Sequence, residues 1–179
     1  MALDEAYRIQ AAEPGDLPAL AGVEARAARL FPETLLPAAL RGDTLPPALL
    51  ADAQRQGRLW VARHRGAAVV GFACAERLGE LALLREIDVD PDHGRRGVAS
   101  ALLAPVFDWA MGQGAEALYL TTFAAFEPGR RLYRRTGFLP LDPERAPPAI
   151  VALLRAERAA GLGERLAMVR TWAGRSAPA

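Results

Sequence analysis

The residue pattern best suited to chemistry is a glycine-containing loop, Gly94-Arg95-Arg96-Gly97-Val98-Ala99-Ser100. A strand-like run ends just before it at Asp90-Pro91, and a helical pattern begins within it at Val98. N–H groups at a helix N-terminus lack intrahelical acceptors, and the helix dipole favours negative charge beside them. Because Gly97 and Ala99 carry little or no side chain, phosphate oxygens can approach this backbone closely. The loop predicts a diphosphate site; a packing turn with solvated arginines is the alternative.

Two carboxylates precede the loop, on the strand predicted at Glu80–Val89. Strict alternation places Glu86 and Asp88 on one face of that strand, together with Ala82 and Leu84. Partial burial would raise a carboxylate pKa toward the value needed to take a proton from an ammonium group. Glu86 is the candidate base, with Asp88 and a water relay as alternatives. Ion pairing of both carboxylates with nearby arginines is the structural alternative, and is favoured over a catalytic role.

The composition excludes several reaction classes. The 179 residues include no lysine, which excludes a P-loop and a pyridoxal Schiff base. One cysteine, Cys74, and two histidines, His64 and His93, are too few for an ordinary Cys/His zinc site. No serine lies in a G-x-S-x-G elbow. We therefore expect no metal, and Cys74, within an apolar run, is predicted to be a core residue.

Charge and hydropathy bear on partners and location. Lys plus Arg number 22 and Asp plus Glu number 21, so the net charge of +1 gives no reason to expect nucleic acid or a membrane surface as a partner. No apolar run reaches the roughly 18 residues of a membrane span, and a single cysteine fits a reducing compartment. These features predict a cytoplasmic protein. They leave the oligomeric state open, a homodimer included.

Hydrophobic periodicity and turn residues predict an α+β fold, built on a mixed, mostly antiparallel sheet flanked by helices. The predicted strands are Tyr7–Ala12, Arg58–His64, Ala67–Leu78, Glu80–Val89, Ala117–Thr122, Phe138–Leu141 and Arg165–Trp172. The predicted helices are one from Asp16 through about Leu30, then Pro46–Gln56, Val98–Gln113, Pro128–Thr136 and Pro147–Ala160. No linker is long enough to separate domains, so residues 1–179 are expected to form one domain.

The position of the glycine loop argues against a dinucleotide-binding fold, which would place it after the first strand. Here the loop follows the fourth strand, and Val89, Pro91, Gly97 and Ala99 match the pattern Val-x-Pro-x-x-(Arg/Gln)-x-x-Gly-x-(Gly/Ala). A second block carries a tyrosine on a helix followed by Gly-Phe, in Leu132-Tyr-Arg-Arg-Thr-Gly-Phe138. With these two blocks in this order, the sequence resembles the GNAT superfamily of N-acetyltransferases over about residues 6–141.

The resemblance implies an acetyl-CoA-dependent N-acetyltransferase that uses no metal. It implies that the main chain of Ile87, Asp88 and Val89 pairs with the pantetheine arm, and that Tyr133 protonates the leaving thiolate. The pyrophosphate would be held by Arg95, Arg96, Gly97, Val98, Ala99 and Ser100. The chain departs from the family pattern at Gly94, where Arg or Gln is usual. It also lacks the Asn often found before the tyrosine helix, where Phe126–Gly129 stands instead.

The expected reaction is direct attack of a neutral amine on the thioester, without a covalent enzyme intermediate. The acceptor is the primary amine of a small molecule or a peptide, such as a protein N-terminus. Two segments, Phe31–Leu50 and Pro147–Gly163, are expected to shape its pocket. The rival hypotheses are a non-catalytic acyl-CoA-binding or sensing module and a nucleotide-binding protein that uses the loop for another phosphate.

Overall fold

The computed structural model describes residues 3–172 and contains one seven-stranded sheet with the strand order β1-β2-β3-β4-β5-β7-β6. The strands are β1 (Tyr7–Ala11), β2 (Leu59–His64), β3 (Ala68–Leu78), β4 (Leu81–Val89), β5 (Ala117–Phe123), β6 (Leu139–Pro140) and β7 (Arg165–Thr171). Every neighbouring pair is antiparallel except β4 and β5, which are parallel. The predicted α+β class is confirmed.

Five helices cover the two faces of the sheet: α1 (Leu17–Ala27), α2 (Pro47–Arg55), α3 (Val98–Gly112), α4 (Glu127–Arg135) and α5 (Pro148–Ala159). Leu20 and Val23 of α1 pack with α2 against one face of β2 and β3. On the same face, Ile150 of α5 packs over β5. Leu102 of α3 packs on the opposite face. None of the helices within residues 3–172 has the length and apolar character needed to cross a membrane.

The sheet divides at its centre, between β4 and β5. Their parallel pairing is limited to Ala82 with Leu118 and Leu83 with Tyr119. Beyond these residues the two strands continue, to Val89 and to the end of β5, without pairing to each other. An unpartnered strand edge leaves backbone N–H and C=O groups free to bind another chain or a ligand. The divergence therefore opens a gap beside the last residues of β4.

A β-bulge interrupts β4 just before this free edge. Cys74 of β3 pairs with Glu86, but the next residue, Ala75, pairs with Leu84, which leaves Arg85 as an extra residue on β4. A one-residue insertion reverses the alternation of side chains between the two faces of the sheet. The end of β4 is thus rotated relative to its start.

The bulge changes which face of the sheet the end of β4 presents. Leu84 and Ile87 both pack in the core beneath α3. Glu86 and Asp88 face α1 instead, and Asp88 pairs in register with Phe72 of the core beneath that helix. The two carboxylates share a face, as predicted. The prediction that Ala82 and Leu84 lie on the same face as the two carboxylates is wrong, because the inserted Arg85 reverses the alternation of side chains between the faces.

Candidate active site

The divergence of β4 and β5 opens a cleft of ≈ 1730 Å³. Every residue singled out from the sequence as a site residue lines it: Glu86, Ile87, Asp88, Val89, Arg95, Arg96, Gly97, Val98, Ala99, Ser100 and Tyr133. These residues come from β4, from the loop before α3 and from α4. The fold therefore brings all the predicted site residues to one cavity.

The loop before α3 presents a row of free backbone amides to the cleft. Gly97 is the N-cap of α3 with φ +83°, and Arg95 also has positive φ, +58°. Among residues 3–172, no acceptor lies within hydrogen-bonding reach of the N–H groups of residues 95–100. A concave run of unsatisfied N–H groups at a helix N-terminus suits an anion, since the helix dipole adds to their partial positive charge.

Arginine side chains surround this end of the cleft. Arg95 and Arg96 of the loop are exposed, and Arg131 and Arg135 of α4 also line the cleft. The other two arginines of α4 are turned away and bind Glu127, at 3.9 Å from Arg130 and 2.5 Å from Arg134. Residues four apart share a helix face, so α4 presents one pair of arginines to the cleft and one to an acidic neighbour.

Tyr133 projects from α4 toward the middle of the cleft. Its ring packs edge-on against Phe138, with 5.8 Å between ring centroids. The hydroxyl makes no hydrogen bond within residues 3–172, and no side-chain oxygen there is both fully buried and unpartnered, so it reaches the open space of the cleft. Burial raises the pKa of Tyr133, and the nearby charges of Glu86 and Asp88 raise it further. The hydroxyl is therefore protonated at neutral pH and free to donate a hydrogen bond into the cleft.

Three carboxylates meet on the α1 side of β4. Oxygens of Glu24, Glu86 and Asp88 lie within 4.8 Å of one another, a spacing that attracts a cation. The sequence did not indicate Glu24: it lies on α1, 62 residues before Glu86, and belongs to no local motif. The backbone N–H of Leu45 donates to both of its oxygens, at 2.9 and 3.1 Å.

The expected pairing of Glu86 and Asp88 with arginines is wrong. In the described part of the chain neither makes an ion pair, and the neighbouring Arg85 lies 3.7 Å from Glu76 instead. Burial raises the pKa of Glu86, and burial together with the charges of Glu86 and Glu24 holds the pKa of Asp88 well above its usual range. Burial also raises the pKa of Glu24 to about 7. Of the three, Glu24 therefore exchanges its proton near neutral pH, and burial favours the protonated form of Glu86 and Asp88.

A second polar group that the sequence did not reveal lies on the β5 side of the cleft. The Thr121 hydroxyl donates to Glu157 Oε1 at 2.6 Å, and Arg165 binds the same carboxylate at 3.1 and 3.2 Å. The Arg165 guanidinium also lies 4.5 Å from the centre of the Phe123 ring. This arginine is thus paired with Glu157, and its charge also opposes the rise in the pKa values of Glu86 and Tyr133.

The two segments expected to shape an acceptor pocket do line the cleft. Residues 31–45 contribute Phe31, whose ring lies 4.9 Å from that of Phe123 and 4.6 Å from that of Phe126. The segment after α5 is tied to them, because the Gly163 N–H donates to the Leu35 carbonyl at 2.8 Å. The rings of Phe31, Phe123 and Phe126 form an apolar wall of the cleft.

Two further residues noted in the sequence have structural partners. His93, at the edge of the cleft, is hydrogen-bonded through Nδ1 to the Tyr7 hydroxyl at 2.9 Å. Cys74 is fully buried, and burial raises the pKa of its thiol to about 12. A buried, protonated thiol is a core residue, as predicted, and not a nucleophile.

The carboxylate cluster predicts an unusual dependence of stability on pH. Because the folded-state pKa of Glu24, about 7, lies above its ordinary value of 4.5, the folded protein binds more protons between these values than the unfolded chain does. Stability is therefore lost as pH rises through this window. We expect the free energy of unfolding of Glu24→Gln, measured with urea, to fall less with pH than that of the original protein. The difference between the two should grow by about 2–3 kcal/mol as the pH rises from 4.5 to 8.5. A difference that is constant with pH would show that Glu24 ionises normally.

Comparison with known proteins places this geometry in a family. A model of the acetyltransferase (GNAT) family matches residues 27–138, which include the glycine loop, Tyr133 and most of the residues that line the cleft. The chain belongs to that family. A search of curated protein sequences finds no match.

Solved structures of N-acetyltransferases share the fold. The ribosomal-protein-S18-alanine N-acetyltransferase of Escherichia coli is 24% identical with a TM-score of 0.63, over 97% of this chain and 99% of that one. PaiA N-acetyltransferase of Thermoplasma acidophilum, solved with coenzyme A, is 14% identical with a TM-score of 0.69, over 93% and 99%. N-acetylglutamate synthase of Neisseria gonorrhoeae, solved with coenzyme A and N-acetyl-glutamate, is 19% identical with a TM-score of 0.67, over 95% of this chain but 36% of that larger chain.

Proposed function

We propose that the protein, as one domain, transfers an acetyl group from acetyl-CoA to a primary amine of a small molecule or a protein N-terminus. The observation that carries this proposal is the arrangement of one cleft. Six consecutive N–H groups without acceptors lie at one side, and a cluster of carboxylates with raised pKa values lies on another. The first suits a diphosphate, and the second suits an amine that must lose a proton.

The coenzyme would lie across the gap between β4 and β5. Its pyrophosphate would accept hydrogen bonds from the amides of residues 95–100, with the arginines of the loop and of α4 around it. Its pantetheine arm would pair with the free edge of β4 at Ile87–Val89, as an added strand pairs with a sheet edge. Membership of the family and the coenzyme A bound in two of the structural neighbours support this placement.

The chemical step needs a neutral amine, an oriented thioester and a proton for the departing sulfur. Glu86, Asp88 or a water molecule held by them would take the proton from the ammonium group. The nitrogen lone pair would then attack the carbonyl carbon, forming the C–N bond, while β4 N–H groups stabilise the negative oxygen. Collapse of this intermediate would break the C–S bond, and the Tyr133 hydroxyl would protonate the thiolate. The nitrogen would lose its second proton as the amide forms, and that proton would restore the tyrosine hydroxyl.

Release of free thiol from acetyl-CoA tests this proposal directly. We expect thiol release to rise above background when primary amines are added, with one acetylated product formed for each thiol released. Glu86→Gln and Asp88→Asn identify the base, because loss of the base should lower kcat by about a hundredfold. Tight coenzyme A binding without amine-dependent thiol release would instead indicate a non-catalytic acyl-CoA-binding module. Stabilisation by ATP but not by coenzyme A in a thermal-shift titration would indicate a nucleotide-binding protein.

A further inference from the structure

The part of the cleft away from the glycine loop is lined by more acidic than basic side chains. This part is formed by α1, residues 31–45, β4, β5, α5 and β7, and we call it the acceptor region. Its acidic lining residues are Glu24, Asp43, Glu86, Asp88 and Glu157, and its basic lining residues are Arg85 and Arg165. The acids outnumber the arginines, so the acceptor region attracts cations.

Both arginines of the acceptor region are already committed to acids of the protein. Arg85 lies 3.7 Å from Glu76, which is outside the lining. Arg165 binds Glu157 and donates to the Thr121 hydroxyl at 3.1 Å. Within the described lining of this region, a carboxylate on an acceptor would therefore find no unpaired cation. It would also lie beside uncompensated carboxylates, which repel it.

Asp88 shows that the acidic groups of this region face the cavity. The residue is only 8% exposed and lines the cleft. Its carboxylate makes no ion pair or side-chain hydrogen bond among residues 3–172, and no side-chain oxygen there is both fully buried and unpartnered, so the Asp88 oxygens reach the open space of the cleft. A buried carboxylate without a partner is costly unless it is protonated or a ligand supplies positive charge. The cluster of Glu24, Glu86 and Asp88 would thus be stabilised by a positively charged group of the substrate.

One ammonium group does not satisfy this cluster during the reaction. The reacting nitrogen gives up its proton and becomes a neutral amide, so its positive charge disappears from the site. A second ammonium group on the acceptor would remain charged and would compensate the carboxylates that are not acting as the base. Glu24 is suited to bind this second ammonium group. The Leu45 N–H orients its carboxylate by donating to both oxygens, and Glu24 lies on α1 and not on β4, where the reaction takes place.

We propose that the acceptor is a short aliphatic diamine, or another primary amine with a second ammonium group and no carboxylate, and that Glu24 binds the second ammonium group. This inference rests on the proposed acetyl transfer. The oxygens of the three carboxylates lie within 4.8 Å of one another, so the two nitrogens need to be only a few carbons apart. The apolar wall of Phe31, Phe123 and Phe126 packs against the methylene chain.

A matched series of four-carbon acceptors tests this inference. Butane-1,4-diamine, n-butylamine and 4-aminobutanoate carry the same amine on the same chain and end in an ammonium, a methyl and a carboxylate group. We expect kcat/KM for the diamine to exceed that for butylamine by about tenfold or more, with 4-aminobutanoate lower again. Binding of each amine to the coenzyme A complex, measured by calorimetry, should follow the same order.

Two variants test whether Glu24 binds the second ammonium group of the acceptor. Glu24→Gln keeps the shape and removes the charge, and should reduce the preference for the diamine over butylamine by about tenfold. Glu116→Gln makes the same substitution at an exposed position outside the cleft and should leave this preference unchanged.

The outcomes separate the two proposals. Equal kcat/KM for the diamine and butylamine, or a higher value for 4-aminobutanoate or for the N-terminus of a peptide, would overturn the diamine inference and leave acetyl transfer standing. If no amine releases thiol, acetyl transfer fails. The calorimetric order of the three acceptors then still decides whether the region binds a dication. A diamine preference that survives in Glu24→Gln would overturn the role of Glu24.

Discussion

Replacing Gly97 by valine should raise the dissociation constant of coenzyme A by about a hundredfold or more. Gly97 has φ +83° at the N-cap of α3, where a β-branched side chain is strained. The chain can relieve that strain only by changing its backbone angles, which would turn the amides of residues 95–100 away from a common point. An added side chain would also occupy the space through which phosphate oxygens approach. Calorimetric titration with coenzyme A measures the effect without requiring an acceptor.

Gly79→Val is the matched control for this variant. Gly79 also has positive φ, +61°, but it lies in the turn between β3 and β4, outside the cleft, with nothing within 4 Å of an added Cβ. It should lose a similar amount of stability, while its affinity for coenzyme A stays at the original value. If Gly97→Val binds coenzyme A as tightly as the original protein, the amides of the loop do not hold the pyrophosphate.

Replacing Tyr133 by phenylalanine should lower kcat by about a hundredfold while the affinity for acetyl-CoA changes little. The pKa of the Tyr133 hydroxyl is raised by burial and by the charges of Glu86 and Asp88, so the hydroxyl carries its proton throughout the neutral range. Its proposed contribution is made only when the C–S bond breaks, and removing such a contribution lowers kcat and not binding. Single-turnover measurements of thiol release give the rate of the chemical step.

Tyr119→Phe controls for the loss of a buried hydroxyl. Tyr119 is buried in the core between β5 and α5 and does not line the cleft. Its substitution should leave the rate of thiol release close to that of the original protein. A Tyr133→Phe variant that keeps the full rate across pH 6 to 9 would show that another group, or water, protonates the thiolate.

The β-bulge at Arg85 connects the fold to the proposed chemistry. It allows one strand to present Ile87 and Val89 to the core beneath α3 while Glu86 and Asp88 face α1. Without the inserted residue, the carboxylates would point into an apolar core, where an unpaired charge is costly. The bulge therefore places carboxylates beside the free edge of β4, on the side where Glu24 and the acceptor region lie.

Local patterns in the sequence were sufficient for the element order, the α+β class and the glycine loop. Strand alternation, helical periodicity and turn residues act over a few residues, so they can be recognised without the tertiary structure. The preference of Gly97 for a left-handed conformation and the need of a helix N-terminus for acceptors are local in the same sense. The boundaries of β6 were less well predicted. Phe138 is buried in the core just before the strand, and β6 has only two residues, although the Leu141 N–H still donates to the Ala167 carbonyl at 3.0 Å.

Only the tertiary structure decided which distant residues share the cleft. Glu24 reaches Glu86 and Asp88 because α1 packs across the face to which the bulge turns those carboxylates. Arg165 and Glu157 bind each other from β7 and α5 for a similar reason. Such contacts depend on how whole elements pack and on a single inserted residue in a strand, and neither has a signature within a short stretch of sequence. The sequence by itself determined the glycine loop, whereas packing decided which acidic and basic side chains line the acceptor region.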